Sequence, residues 1–175
     1  GGGRKGIREY LETGKKQGRE QSREDLDDRL VLSGNLELAD AAIKAYGGRG
    51  EKYLHITLSF QEDFVDPETL HAITREFEGF VFAAYRPDEY IYYAEAHLPR
   101  TKSLFSKATG ERIERKPHIH IVIPKVDLLS GRHLNPLGLV RMNERFIDAF
   151  QESQNLKHGL ASPKDYPRTN LVGRS

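Results

Sequence analysis

The amino-acid sequence predicts an α+β fold, a largely antiparallel sheet with helices packed on one of its faces. Two observations carry most of that prediction. Residues 53–60 and 118–124 alternate apolar and polar side chains with a period of two, as a half-buried strand does. Around them lie segments whose apolar residues recur at helical spacing. A strand with one apolar and one polar face is typical of antiparallel sheets.

In chain order, residues 4–13 read as a short helix, with Ile7, Tyr10 and Leu11 on one stripe and Gly14 as its stop. Residues 15–28 are almost wholly charged or polar and read as a flexible, solvated excursion. Leu30-Val31-Leu32 is a short strand ended by Ser33-Gly34-Asn35. A helix follows over 36–46, with Leu38, Ala42 and Ile43 inward and Gly47-Gly48 after it. The strand at 53–60 sets Leu54, Ile56, Leu58 and Phe60 toward the core and Tyr53, His55, Thr57 and Ser59 away from it. Asp66-Pro67-Glu68 is a helix start, a side-chain cap followed by proline. Leu70, Ile73, Phe77 and Val81 make that helix's stripe. Residues 90–98 are a third clear strand, with Tyr93, Glu95 and His97 sharing one face. Residues 99–116 form a connection turning at Thr109-Gly110. In the strand at 118–124, Ile119, Ile121 and Ile123 face the core while His118 and His120 face the other way, with Pro117 and Pro124 bracketing it. A loop at 127–135 leads to a last helix over 136–155, its stripe including Val140, Phe146, Ile147 and Phe150. We expect one domain over 1–158 and a linker over 159–175, with the natural start upstream of Gly1-Gly2-Gly3.

Composition narrows the chemistry. The 175 residues carry 27 basic and 26 acidic side chains, a net charge of +1, so any nucleic-acid surface must come from local clustering. The absence of cysteine excludes disulfides, thiolate metal sites and cysteine nucleophiles. No apolar run approaches the roughly 18 residues of a membrane span, so we expect no membrane insertion and an intracellular, soluble protein. The strongest local basic cluster is Arg100, Lys102, Lys107, Arg112, Arg115 and Lys116, set against Glu111 and Glu114. It reads either as a solvated hairpin or as a finger that contacts phosphates.

Antiparallel pairing of 90–98 with 118–124 brings His97 beside His118 and His120. Three imidazoles on one sheet face can share one cation at about 2.0–2.1 Å and leave positions open for water or phosphate oxygens. A one-residue slip would bury them, so the apolar face fixes their direction. His55 is a possible fourth member, less suited than His97. His71, His133 and His158 lack the geometry and read as surface residues.

These residues resemble the conjugative relaxases, mobilization nucleases of the HUH endonuclease superfamily. The resemblance rests on Tyr-Leu-His-Ile-Thr-Leu-Ser-Phe at 53–60, a histidine near a strand end at 97, and Pro-His-Ile-His-Ile-Val-Ile-Pro-Lys at 117–125. Ile7-Arg8-Glu9-Tyr10-Leu11 is similar to the first motif of the family, Ser33-Gly34-Asn35 to the start of its second helix and Ser59 to its second motif. The resemblance implies a ferredoxin/RRM-like sheet and a reaction. A tyrosine attacks a phosphodiester at a plasmid transfer origin, leaving a 5′-phosphotyrosine and a free 3′-hydroxyl. Tyr10 would then be the nucleophile, with Tyr46 in reserve. His97, His118 and His120 would hold a divalent ion, Mg²⁺ or Mn²⁺, with other transition ions open, and Ser59 would contact the DNA. A phenol of pKa about 10 needs such a cation or a base nearby. The resemblance also implies single-stranded origin DNA, accessory relaxosome proteins and a type IV secretion coupling protein as partners, in the cytoplasm of a donor bacterium.

The chain departs from the family pattern where many relatives carry an aspartate two residues after the first histidine. That position is Pro99, and the 99–116 connection appears as an insertion. Glu95, on the face of His97, is the substitute for the acidic role, orienting a ligand or accepting a proton. By spacing alone Tyr10 is a core aromatic, and Tyr93 is a stacking platform for an unpaired base. Two other readings stand beside the relaxase. One is a metal-independent 2H-type phosphoesterase using His55-Ile56-Thr57; the other is a non-catalytic module binding single-stranded DNA.

Overall fold

The computed structural model describes residues 6–14, 21–138 and 140–161. Four strands form an antiparallel sheet: β1 (Asp27–Ser33), β2 (Tyr53–Ser59), β3 (Tyr93–Pro99) and β6 (His118–Pro124), in the spatial order β1-β3-β6-β2. A separate two-stranded hairpin, β4 (Ser103–Phe105) with β5 (Arg112–Glu114), occupies the β3–β6 connection. The helices are α1 (Ile7–Thr13), α2 (Arg23–Leu26), α3 (Leu36–Ala45), α4 (Pro67–Val81) and α5 (Val140–His158).

The main core lies on the apolar face of the sheet. Ile119, Ile121 and Ile123 of β6, Ile56 and Leu58 of β2, and Ala94 and Ala96 of β3 meet Leu70, Ile73, Phe77 and Val81 of α4. Ile147 and Phe150 of α5 complete it, with the Phe77 and Phe150 rings in edge contact at 5.1 Å. Asp66 caps α4 by accepting from the Thr69 N–H, as its Asp-Pro start predicts.

The antiparallel α+β architecture is the one expected, and the expected helical face is that of α4 and α5. A second, smaller layer adds to it. Ile7 and Leu11 of α1 and Ala39 of α3 pack over Tyr53, Tyr93 and Val122 on the opposite face. Those three apolar residues, placed among polar neighbours at the far end of the histidine face, explain why that face is partly covered. On α3, Ile43 packs inward as expected, but Ala39 is the buried residue of the stripe and Leu38 is 62% exposed. Phe146, expected inward on α5, is likewise exposed.

The solvated excursion expected over 15–28 is not what residues 21–28 form; 15–20 lie outside the described residues. Ser22 and Asp25 make a reciprocal capping box around α2, Leu26 is fully buried, and β1 starts at Asp27 rather than Leu30. The segment looks hydrophilic because Arg23 and Asp27 are charged, yet both are buried against each other at 2.9 Å. Gly14, at φ 62°, ends α1 and lies so close to Arg23 that an added Cβ would meet that residue's backbone nitrogen at 3.2 Å.

Phe77 is fully buried between α5 and the sheet. Phe77→Ala should lower the unfolding free energy by about 3–5 kcal/mol in urea titrations. A loss below about 1 kcal/mol would show that α4 and α5 close up over the gap.

Candidate active site

The two central strands build the site. In the β3–β6 register His97 stands opposite His118 and Glu95 opposite His120, so all four side chains share one face. The ring centroids of His97 and His120 are 4.3 Å apart, those of His118 and His120 4.8 Å, and those of His97 and His118 5.1 Å. One ligand atom from each of the three lies within 4.8 Å of the others. The expected three-histidine set is therefore assembled.

Each ring is held by its other nitrogen. His97 Nε2 donates to Glu95 Oε2 at 2.5 Å, and His118 Nδ1 donates to the Lys116 carbonyl at 3.1 Å. His120 Nδ1 lies 2.7 Å from His55 Nε2. That leaves His97 Nδ1, His118 Nε2 and His120 Nε2 to converge. Among them His97 Nδ1 and His120 Nε2 are buried without a hydrogen-bond partner. Orphaned imidazole nitrogens facing one another fit a cation, because neutral imidazole is a metal ligand and its N–H is usually held by a carboxylate, carbonyl or water.

Glu95 is fully buried and saturated with donors. Arg29 reaches it with Nε at 2.8 Å and Nη2 at 2.7 Å, and the Tyr93 hydroxyl donates at 2.8 Å. Burial pushes its pKa up, but the hydrogen bonds from Arg29 and then His97 outweigh burial and hold it at about 2. Tyr93, 1% exposed and spent on Glu95, is not the stacking platform its sequence position suggested. Burial, reinforced by the Glu95 charge, pushes its hydroxyl pKa up.

Tyr10 stands at the same face. Its ring meets His120 edge-on at 5.9 Å and His55 at 6.0 Å, and the Arg23 guanidinium lies 5.2 Å from its centroid. Tyr46 is elsewhere: its hydroxyl pairs with His133 Nδ1 at 3.1 Å, near the Tyr53 end of β2. Ser59 lies opposite His118 in the β2–β6 pairing, on the site face. His55 is not placed as a fourth ligand; its Nε2 meets His120.

The basic residues divide. Arg115 is drawn inward, giving Nη2 to both oxygens of Asp27 at 2.8 and 3.0 Å and Nη1 to the carbonyls of Leu26 and Thr101. Lys116 pairs with Asp63 at 2.5 Å, and Arg100 with Asp28 at 3.1 Å. Lys102, Lys107 and Arg112 are exposed on or beside the hairpin. Sequence reasoning missed Arg23, Asp27 and Arg29. For Arg29 the signal was present, since period two places it on the strand face of Val31, opposite His97 in the β1–β3 pairing.

Three imidazoles converge on one face of an antiparallel sheet with a tyrosine beside them, a set of donors compatible with a divalent metal ion. The chain belongs to the relaxases: residues 10–156 match the model of the MobA/VirD2-like relaxase nuclease domain. It is also 31% identical over 164 residues to "Cryptic plasmid protein C" of Neisseria gonorrhoeae, covering 94% of this chain and 68% of that protein. No solved structure matches it. Among the described residues no helix is long and apolar enough to cross a membrane.

Burial is the main cause that lowers the pKa of His97, His118 and His120, with neighbouring positive charge adding to it; His118 falls from 6.5 to about 4. His118 takes up a proton near pH 6.5 in the unfolded chain but only at about 4 in the folded one, so metal-free stability should fall as pH drops through that window. Urea midpoints at neutral pH and at pH about 5 test this; an unchanged midpoint would mean that the folded site accepts those protons freely.

Proposed function

We propose that this relaxase domain nicks one strand of single-stranded DNA at a plasmid or mobile-element transfer origin, with Tyr10 as nucleophile. A bond forms between the Tyr10 oxygen and phosphorus while the bond from phosphorus to the 3′ oxygen breaks. The phenol gives up its proton and the leaving 3′ oxygen gains one, so the products are a 5′-phosphotyrosine and a free 3′-hydroxyl. The observation that carries this reading is the edge contact of the Tyr10 ring with His120, which sets a tyrosine ring against the converging histidines. His97, His118 and His120 would hold a divalent ion, Mg²⁺ or Mn²⁺ in the cell. Such an ion, when bound, polarises the scissile phosphate and orients it.

The chain's own groups do the rest. Glu95 is a positioning residue: ionised, immobile and bonded to His97, it fixes that ring's tautomer. His55 does the same for His120. Arg23 over the Tyr10 ring, with its Nη2 on the Tyr10 carbonyl at 3.4 Å, restrains the nucleophile's turn of helix. Ser59 and the basic side chains Arg100, Lys102, Lys107, Arg112 and Lys116 are offered to the strand; Arg115 supports the hairpin from within. Relaxosome proteins and a secretion coupling protein in a donor cell's cytoplasm are the further partners of this reading.

Tyr10→Phe should abolish a protein–DNA adduct that wild type forms with origin oligonucleotides and Mn²⁺, read on a denaturing gel. An adduct that survives would move the nucleophile to another tyrosine; clean cleavage without any adduct would favour a phosphoesterase. Glu95→Gln should weaken divalent-ion binding about 10- to 100-fold by calorimetry. Unchanged affinity would leave Glu95 a buried structural charge.

A further inference from the structure

We propose that the β4–β5 hairpin is a rigid platform on which an unpaired base of the DNA strand stacks, with Phe105 as the stacking face and Arg112 as its charged partner. The proposal rests on the nuclease reading above and names a residue that no motif of the active site includes. Phe105 is 69% exposed, and Ile113 on the neighbouring strand 51%. Phe105 and Arg112 are directly paired across the hairpin, so they share one face. The Arg112 side chain is 74% exposed, its Nε 3.6 Å from a Glu114 carboxylate oxygen. An aromatic face beside a guanidinium, with the exposed Lys102 and Lys107 three and two residues from Phe105 in the chain, matches what single strands require: a ring for any base and cations for the backbone.

Two features separate this from a solvated loop with a stray phenylalanine. The first is stiffness. The hairpin's base is pinned to α2 through Arg100 N and Thr101 N on the Leu26 carbonyl, Thr101 Oγ1 on the Asp25 carbonyl and Arg115 Nη1 on Leu26 and Thr101. Its turn is closed by Ser106 N on the Glu111 carbonyl and Gly110 N on the Ser106 carbonyl, both at 2.8 Å. A platform held this way loses little freedom on binding. The second is place. Arg112 is six residues from His118, at most about 20 Å of chain, so a strand lying at the histidines is within a few nucleotides of Phe105.

The chain contains no tryptophan, so Phe105→Trp installs a unique fluorophore at the platform. Wild type, Phe105→Ala, Phe105→Trp and Arg112→Gln would be titrated with a fluorescein-labelled oligothymidine strand in EDTA, which keeps cleavage silent. Thermal melts check that each variant folds. Phe105→Ala should weaken anisotropy-detected binding by about five-fold or more. The tryptophan of Phe105→Trp should be quenched by single strands and far less by duplex, which a merely structural position would not show. Wild-type affinity in Phe105→Ala, an unquenched tryptophan, or tryptophan emission that follows protein concentration instead of DNA would each overturn the platform while leaving the nuclease reading intact. A wild-type chain that does not bind oligothymidine would overturn the platform, whereas the nuclease reading falls only if origin oligonucleotides with Mn²⁺ are neither nicked nor joined to the protein.

Discussion

The register of β3 against β6 is the constraint on which the site depends. It sets His97 opposite His118 and Glu95 opposite His120, and nothing else in the chain brings those four side chains onto one face. Ile119, Ile121 and Ile123 hold the register, each fully buried against the α4 and α5 layer. A slip of one residue would drive two imidazoles into that core and turn three isoleucines toward the opposite face. Burying the first without partners costs several kcal/mol, and exposing the second forfeits about 1.5–3 kcal/mol per side chain. The apolar core is thus what aims the polar chemistry.

Beneath the histidines run two buried carboxylates, each overcommitted to cations. Glu95 is bonded by Arg29, Tyr93 and His97; Asp27 by Arg23 and twice by Arg115. Burial alone would raise the pKa of both, and the arginines reverse the sign, leaving each below the usual carboxylate range. The Asp27 cluster ties together segments distant in sequence: Arg23 packs on the Tyr10 ring of α1, and Arg115 anchors the hairpin that leads into His118. The α1 tyrosine, the hairpin and the histidine strand therefore share one electrostatic foundation, and removing Asp27 would leave two arginines facing each other in a buried place.

What the sequence made legible follows from how local each signal is. The strands at 53–60 and 118–124 and the Asp66-capped helix rest on neighbours two to four residues apart, and they appear close to where periodicity puts them. The histidine trio was legible because only one pairing of adjacent strands places His97 next to His118. Arg23 and Asp27 were not, because a charged segment looks solvated until its partner is known, and Arg115 lies 88 residues from Asp27. Tyr93 was misread for a related reason. Its alternation correctly gave the face, but α1 and α3 lie over that end of the sheet, which no local pattern announces.

Glu95 and Pro99 also show how two positions of one strand face come to differ in chemistry. On a strand, residues two before and two after His97 lie on the same face, each roughly 6.6 Å along the chain. They differ in surroundings. Position 99 ends β3, whereas position 95 lies in the middle of the sheet, paired with Val31 on one side and His120 on the other, with the Arg29 guanidinium on its carboxylate. A carboxylate there is fully buried and held ionised down to about pH 2, so it can orient an imidazole but has no proton affinity left for a base at neutral pH. What position 95 supplies is orientation, through the hydrogen bond that His97 Nε2 donates to its carboxylate.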